Sequence, residues 1–308
     1  MMSAPFTYQF SPALDVAARS SAGAASPPAE NQDNYLLINA AGQASYLYNQ
    51  QPQKSQVRDW PAGHARVAIL DGMGGHGRGR EAAEAVVAAL LTVPACATLP
   101  DLCAHLDALH ASLQRHFCNG GPPSKRPGTT MTLLELRPGL PALLYHVGDS
   151  RLYEVMPNAV RPLTVDHVPA TVFAMHGLLD EPAWWQQVHG EHRSQISQAF
   201  ILGNALHDSA HLSDPLLPLA PHNLPAFLRH LPDRRALELD PRAIYLLATD
   251  GLWACGDPRA WLERLPALLA PHRAASDMAD AVLNELRERP PPNCYPDNVT
   301  AIVLRPIE

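Results

Sequence analysis

No stretch of this 308-residue chain approaches the ~18–20 consecutive apolar residues that span a bilayer, which excludes a transmembrane helix. The opening residues, MMSAPFTYQF, hold neither a basic nor an apolar segment, so no signal peptide is expected and the chain reads as cytoplasmic. Positive charge is in deficit: 23 Lys and Arg stand against 30 Asp and Glu, a formal net charge of -7. That balance argues against nucleic acid or an anionic membrane as the main partner. The five cysteines (Cys96, Cys103, Cys118, Cys255, Cys294) are odd in number, form no CxxC pair, and read as reduced, buried thiols. GK[ST] and GxSxG are both missing, which removes a P-loop and a nucleophile elbow. Without HExxH, the scattered histidines, such as His189 and His192, read as surface or loop residues. No internal repeat or long linker divides the chain.

What is present is a core-forming chain, 46% apolar, with 31 prolines that predict long ordered loops and short helices. Apolar or alternating runs predict strands at 34–38, 44–48, 65–70, 130–136, 142–147, 151–155, 159–163, 243–249 and 299–304, with a weaker edge strand at 6–10. Residues 11–30 are small and polar, and 49–63 read as loop. Helices are expected at 81–91, 99–117, 258–269 and 276–289; in the second, Leu102, Leu106, Leu109 and Leu113 fall at helical spacing. The short connections 137–141 and 148–150 predict antiparallel neighbours. Strands at the start, middle and end predict one α+β domain over 1–308, less regular between about 168 and 215.

Aspartates border these strands. Asp71 and Asp250 each follow a buried strand and precede a glycine; Asp297 and Asp33 precede strands; Asp149 occupies the turn Gly148-Asp149-Ser150. Any single one reads as a turn or cap residue. Five of them at the ends of buried strands would converge if the strands pack side by side. Two unit charges ~4 Å apart repel by about 4 kcal/mol at an effective dielectric of about 20. Such a set must take up protons or hold cations, and all-oxygen ligation suits Mg²⁺ or Mn²⁺ rather than zinc. Two ions bridged by one carboxylate would acidify a shared water and clamp a phosphoryl oxygen, which implies hydrolysis of a phosphate ester. Gly72, Gly74 and Gly77 also spell GxGxxG, but Asp71 would then face a pyrophosphate with no cation to offset it, and no second strand ends in an acid about 20 residues on.

Seven short stretches, ENQD (30–33), DGMGGHGRG (71–79), GTT (128–130), GDSR (148–151), LTVDH (163–167), TDG (249–251) and DNVT (297–300), occur in the order found in the metal-dependent type-2C (PPM) Ser/Thr protein phosphatases. The chain resembles that family over nearly its whole length, and DGMGGH resembles its bacterial branch. The resemblance implies an α-β-β-α sandwich of two antiparallel sheets with a two-ion Mn²⁺ or Mg²⁺ site at one edge. It makes Asp71 the ligand bridging both ions and Gly72 a carbonyl ligand, and places Asp250 and Asp297 on the first ion. Asp33 would hold a metal-bound water or support the ligands from behind. Asp149 with Asp250 would form the third, weaker site that many relatives show, and Asn298 would orient Asp297. The implied partners are phosphoprotein substrates of a Ser/Thr kinase.

Three positions depart from the pattern. Pro28 stands where relatives usually carry a phosphate-binding arginine; Arg19 is the nearest upstream, and Arg78 or Arg80 are the candidate substitutes. Met73 fills the slot after the Asp-Gly pair, leaving His76 as the candidate general acid, with a structural role in the loop the alternative. The flap-like insertion, about 168–215, echoes the family only in SQAFILGN (197–204). Pro28 and that insertion motivate a rival reading, a phosphatase-like domain that binds a partner without turning it over. Against it stands the full aspartate set, since an unfilled carboxylate cluster costs stability.

Overall fold

The computed structural model describes residues 10–11, 13–23, 30–74, 78–118, 126–193, 195–204 and 215–307. The chain begins with β1 (Leu14–Ser21), β2 (Asn34–Ile38), β3 (Gln43–Tyr48), β4 (Gln51–Gln56), β5 (Ala65–Leu70) and the short β6 (Gly72–Met73). Helices α1 (Gly79–Leu90) and α2 (Leu99–Cys118) lead to β7 (Gly128–Thr129), β8 (Met131–Leu136), β9 (Ala142–Val147), β10 (Arg151–Met156) and β11 (Ala159–Pro162). The insertion contributes α3 (Pro169–Met175), α4 (Glu181–His189), β12 (Gln198–Ala199) and β13 (Gly203–Asn204). Then come β14 (Arg234–Leu237), β15 (Ile244–Ala248), α5 (Pro258–Leu262), α6 (Leu265–Leu269), α7 (Ala275–Glu288) and β16 (Val299–Pro306).

Two antiparallel sheets carry the fold, one of seven strands in the order β14-β9-β8-β5-β2-β3-β4 and one of five in the order β1-β16-β15-β10-β11. The apolar runs have no polar alternation because both faces of their strands are covered. In β2 and β5, Leu37, Val67 and Ile69 face the other sheet while Leu36, Ile38, Ala68 and Leu70 face α1 and α2. In β15 and β16, Tyr245, Leu247, Ile302 and Leu304 face the inter-sheet core while Leu246, Ala248, Ala301 and Val303 face α5–α7. The layers are therefore helix, sheet, sheet, helix, as expected. Helix α1 buries Ala82, Ala83, Val86, Val87 and Leu90, one stripe at helical spacing. A separate cluster, built on Val165, Trp184, Val188 and Leu228, holds α3 and α4 of the insertion together.

Several expectations are corrected. Residues 14–21, read as small and polar, form β1 against β16, and β4 lies within the expected loop 49–63. The turn 148–150 does not make a hairpin, because β9 and β10 belong to different sheets. The helix expected at 258–269 is two, since Pro266 lacks an N–H and opens a new first turn. His189 is buried beside Trp184 and Trp185, not a surface residue, and Cys294 is exposed whereas Cys96 and Cys255 are buried. The edge strand expected at 6–10 lies, apart from Phe10, outside the described residues. Among the described residues no helix is long and apolar enough to cross a membrane.

Candidate metal centre at one end of the two sheets

Strand register brings the aspartates together. Asn34 pairs with Leu70, so Asp33 at the entry of β2 lies beside Asp71 at the exit of β5. In the other sheet Arg151 pairs with Ala248, which pairs in turn with Ala301. Asp149, Asp250 and Asp297 thus gather at the matching end of that sheet. The turn holding Asp149 crosses from sheet to sheet; Gly148 there has φ +108, and a Cβ would lie 2.6 Å from a methyl of Thr130. At Gly251 a Cβ would lie 2.0 Å from the Asn298 carbonyl oxygen, so a bare backbone is what lets the Asp250 turn meet the start of β16.

Short polar side chains stitch the strand ends. The Asp71 amide donates to Thr130 Oγ1 at 2.9 Å, and that hydroxyl lies 2.5 Å from Ser150 Oγ. Thr249 Oγ1 donates to Asp33 Oδ2 at 2.8 Å and accepts from the Thr300 amide at 2.9 Å. Asn298 Oδ1 accepts from the Gln32 amide at 2.7 Å, and its own amide donates to Asp297 Oδ1 at 2.8 Å. Asn298 therefore ties both acidic loops together and holds the Asp297 carboxylate through its main chain.

The carboxylates feel each other. Burial, then the charges of Asp250, Asp33, Asp149 and Asp297, hold Asp71 well above the ordinary carboxylate range. Asp33 is pushed up to about 8, first by burial and then, against its threonine bonds, by Asp250 and Asp297. Asp250 is pushed up to about 6 by burial and Asp297, and lies within hydrogen-bonding reach of Asp71. Asp149 and Asp297 also rise, mainly through burial. Among the described residues no three His, Cys, Asp or Glu side chains are already gathered into a cage for a metal ion. The donor chemistry nonetheless fits a hard divalent cation: the set is all oxygen, and Oδ1 of buried Asp33 has no hydrogen-bond partner.

The remaining candidates fall less neatly. His76 and Pro28 lie outside the described residues. Arg78 is exposed and pairs with Glu81 at 3.2 Å; Arg80 is held by Glu30, Glu84 and Asn49; Arg19 makes a two-point contact with Asp280. Two residues were missed. His192 from the insertion is half-buried, interacts electrostatically with Asp297, and stacks near Tyr295 at 5.6 Å. It lines, with Asp149, Arg151, Asp166, Phe173 and Trp253, a cavity beside the acids. Arg126 precedes β7, which pairs with β6 next to Asp71, and its Nε is buried without a hydrogen-bond partner. Its place two residues before the GTT stretch was the available signal.

No protein-family model and no curated protein sequence matches this chain. Solved structures do. The catalytic domain of the serine/threonine protein phosphatase PstP, in complex with two manganese ions, superposes with a TM-score of 0.59 at 23% identity, covering 96% of this chain and 99% of that one. A serine/threonine phosphatase of S. agalactiae gives 0.62 at 18% identity, covering 95% and 99%. PppA, a key regulatory component of the T6SS in Pseudomonas aeruginosa, gives 0.62 at 22% identity, covering 96% and 98%. The chain has the fold of the bacterial serine/threonine phosphatases.

Proposed function

We propose that this protein is a bacterial-type, metal-dependent Ser/Thr phosphoprotein phosphatase. One observation carries the proposal: five aspartates from five separate segments are delivered to the same end of two sheets, where burial first and then neighbouring carboxylates raise the proton affinity of Asp33, Asp71, Asp149 and Asp250. At neutral pH such a group must either take up protons or be countered by cations, and cations let all five stay ionised. When bound, two Mn²⁺ or Mg²⁺ ions supply Lewis-acid stabilisation of a phosphoryl oxygen and activation of water. Asp71, in reach of Asp250 and adjacent in register to Asp33, is the residue suited to sharing both ions. When ions are bound, Asp250 and Asp297 would hold one of them, the Gly72 carbonyl would contribute to the pair, and Asp149 would serve a third, weaker site. Asp33, fixed by Thr249, would orient the attacking water and, once cations favour its ionised form, accept a proton from it. Arg126 is our candidate for the phosphate contact, and His192, which lines the cavity beside Asp149, is our candidate for contact with the leaving group. The substrates are products of a Ser/Thr kinase, in the cytoplasm.

The tie-up of Arg19, Arg78 and Arg80 with their own acids favours the second reading, a domain that binds without turnover. Hydrolysis of a phosphothreonine peptide with millimolar Mn²⁺ separates the two. Activity lost in Asp250→Ala supports the phosphatase; turnover no greater than that variant's leaves the binding domain.

A further inference from the structure

Behind Asp149 lies a buried polar joint that the proposed chemistry does not use. His167 and Asp233 are almost completely buried, 66 residues apart in sequence, with His167 Nε2 3.1 Å from Asp233 Oδ2. A carboxylate oxygen only accepts, so Nε2 carries a proton, while the Gly148 N–H, which only donates, meets Nδ1 on its lone pair, with the Gly148 carbonyl oxygen 3.2 Å from the same nitrogen. That lone pair faces the Gly148 amide at 3.1 Å, and the His167 amide donates to the Gly148 carbonyl at 2.8 Å. Gly148 is thus clamped on both its polar groups, one residue before Asp149. On the other side, Ser150 is clamped by Thr130 Oγ1 and by Thr132 Oγ1, which donates to the Ser150 carbonyl at 2.7 Å and also meets His146 Nδ1 at 2.8 Å.

The joint also reaches the insertion. Asp233 Oδ2 accepts from the Leu219 amide at 2.9 Å, the Asp233 carbonyl accepts from the His146 amide at 2.9 Å, and the His167 carbonyl accepts from the Ser197 amide at 2.7 Å. One carboxylate therefore orients a histidine ring, that histidine holds the turn, and the same two residues bond Ser197 within the insertion and Leu219 just beyond it.

We propose that His167 and Asp233 are positioning residues that hold the Gly148–Ser150 turn so that Asp149 is presented to a divalent cation, and that they couple this presentation to the insertion. The inference rests on Asp149 being a ligand. Groups that orient a ligand from behind are worth 10–100-fold in metal affinity.

The test is a titration of the full chain with Mn²⁺ alone, read by calorimetry and by electron paramagnetic resonance of the free ion, so no turnover is needed. Asp149→Asn identifies the binding step that depends on Asp149. His167→Gln keeps an N–H for Asp233 but withdraws the acceptor from Gly148, and is expected to weaken that step by about 10–100-fold while the tighter steps stay put. Asp233→Asn, isosteric and so the least disruptive to folding, weakens the same step by a smaller factor, because an amide accepts less strongly than a carboxylate. Unchanged affinity at that step in either variant overturns the positioning role while leaving Asp149 as a ligand. If Asp149→Asn itself removes no step, the ligand assignment falls and the inference with it.

Discussion

The cost of assembling the acids is measurable without any metal, and Asp33→Asn exposes it. Asp33 is buried, only 3% exposed, and titrates at about 8 in the folded protein against an ordinary 3.8. A carboxyl whose folded pKa is raised stabilises nothing at high pH: the folded state binds the proton more tightly than the unfolded chain, so stability is greatest below the ordinary pKa and falls as pH rises toward 8. Each pH unit crossed in that window removes about 1.4 kcal/mol, so between about pH 5 and about pH 7.5 the wild type loses roughly 3 kcal/mol through this group. An asparagine does not titrate, still accepts from Thr249 Oγ1, and its main-chain amide still donates to Asn31 Oδ1. Urea unfolding in EDTA, followed by the fluorescence of buried Trp184, Trp253 and Trp261, reads the difference. The variant should match the wild type near about pH 5 and exceed it by about 2–3 kcal/mol near about pH 7.5. Saturating Mn²⁺ should close or reverse the gap, since an ion bound only by the folded state stabilises it. A variant less stable than wild type at both pH values, in EDTA, would refute the reasoning.

Three further outcomes follow from other groups. His110 accepts the Ile201 amide at Nδ1 and burial lowers its pKa to about 4; stability should therefore be lost as pH falls from about 6.5 toward about 4, and His110→Asn, which keeps an acceptor but not the titration, should lower the slope of ΔG against pH there by about 1.4 kcal/mol per unit. Glu135 and Arg66 are both fully buried and paired at 2.7 Å, so Glu135→Ala strands a charge and should cost about 3–5 kcal/mol in urea unfolding. Arg126→Ala should raise KM for a phosphopeptide roughly tenfold with kcat little changed, as expected for loss of ground-state and transition-state binding alike; an unchanged KM removes Arg126 from the substrate site.

How much of this was legible in the sequence depends on burial. Strands β2, β5 and β9 stood out because both faces are covered, leaving unbroken apolar runs such as VAIL before Asp71. The polar edge strand β4, QPQKSQ, has an almost wholly exposed surface and left no hydrophobic pattern to read. Strand β1, LDVAARSS, is mostly half-buried at the edge of the five-stranded sheet and looked like linker for the same reason. A short turn such as 148–150 can join neighbours or cross between sheets, and local pattern does not distinguish them; packing of Leu152 and Leu144 into one inter-sheet core decides it. The aspartates were readable because each sits at a strand end. Asp233 and Arg126 were not singled out and His192 was read only as a surface or loop residue, because their importance lies in contacts made across long stretches of chain.

Cation binding by the aspartate cluster underlies all of the proposed chemistry. Titration of the metal-free protein with Mn²⁺ tests this most directly, comparing wild type with Asp71→Asn and Asp250→Asn at about pH 7.5. The cluster predicts at least two ions bound by the wild type, a rise in melting temperature as they bind, and loss of both effects in Asp71→Asn with partial loss in Asp250→Asn. Two ions bound with undiminished affinity by both variants would contradict it.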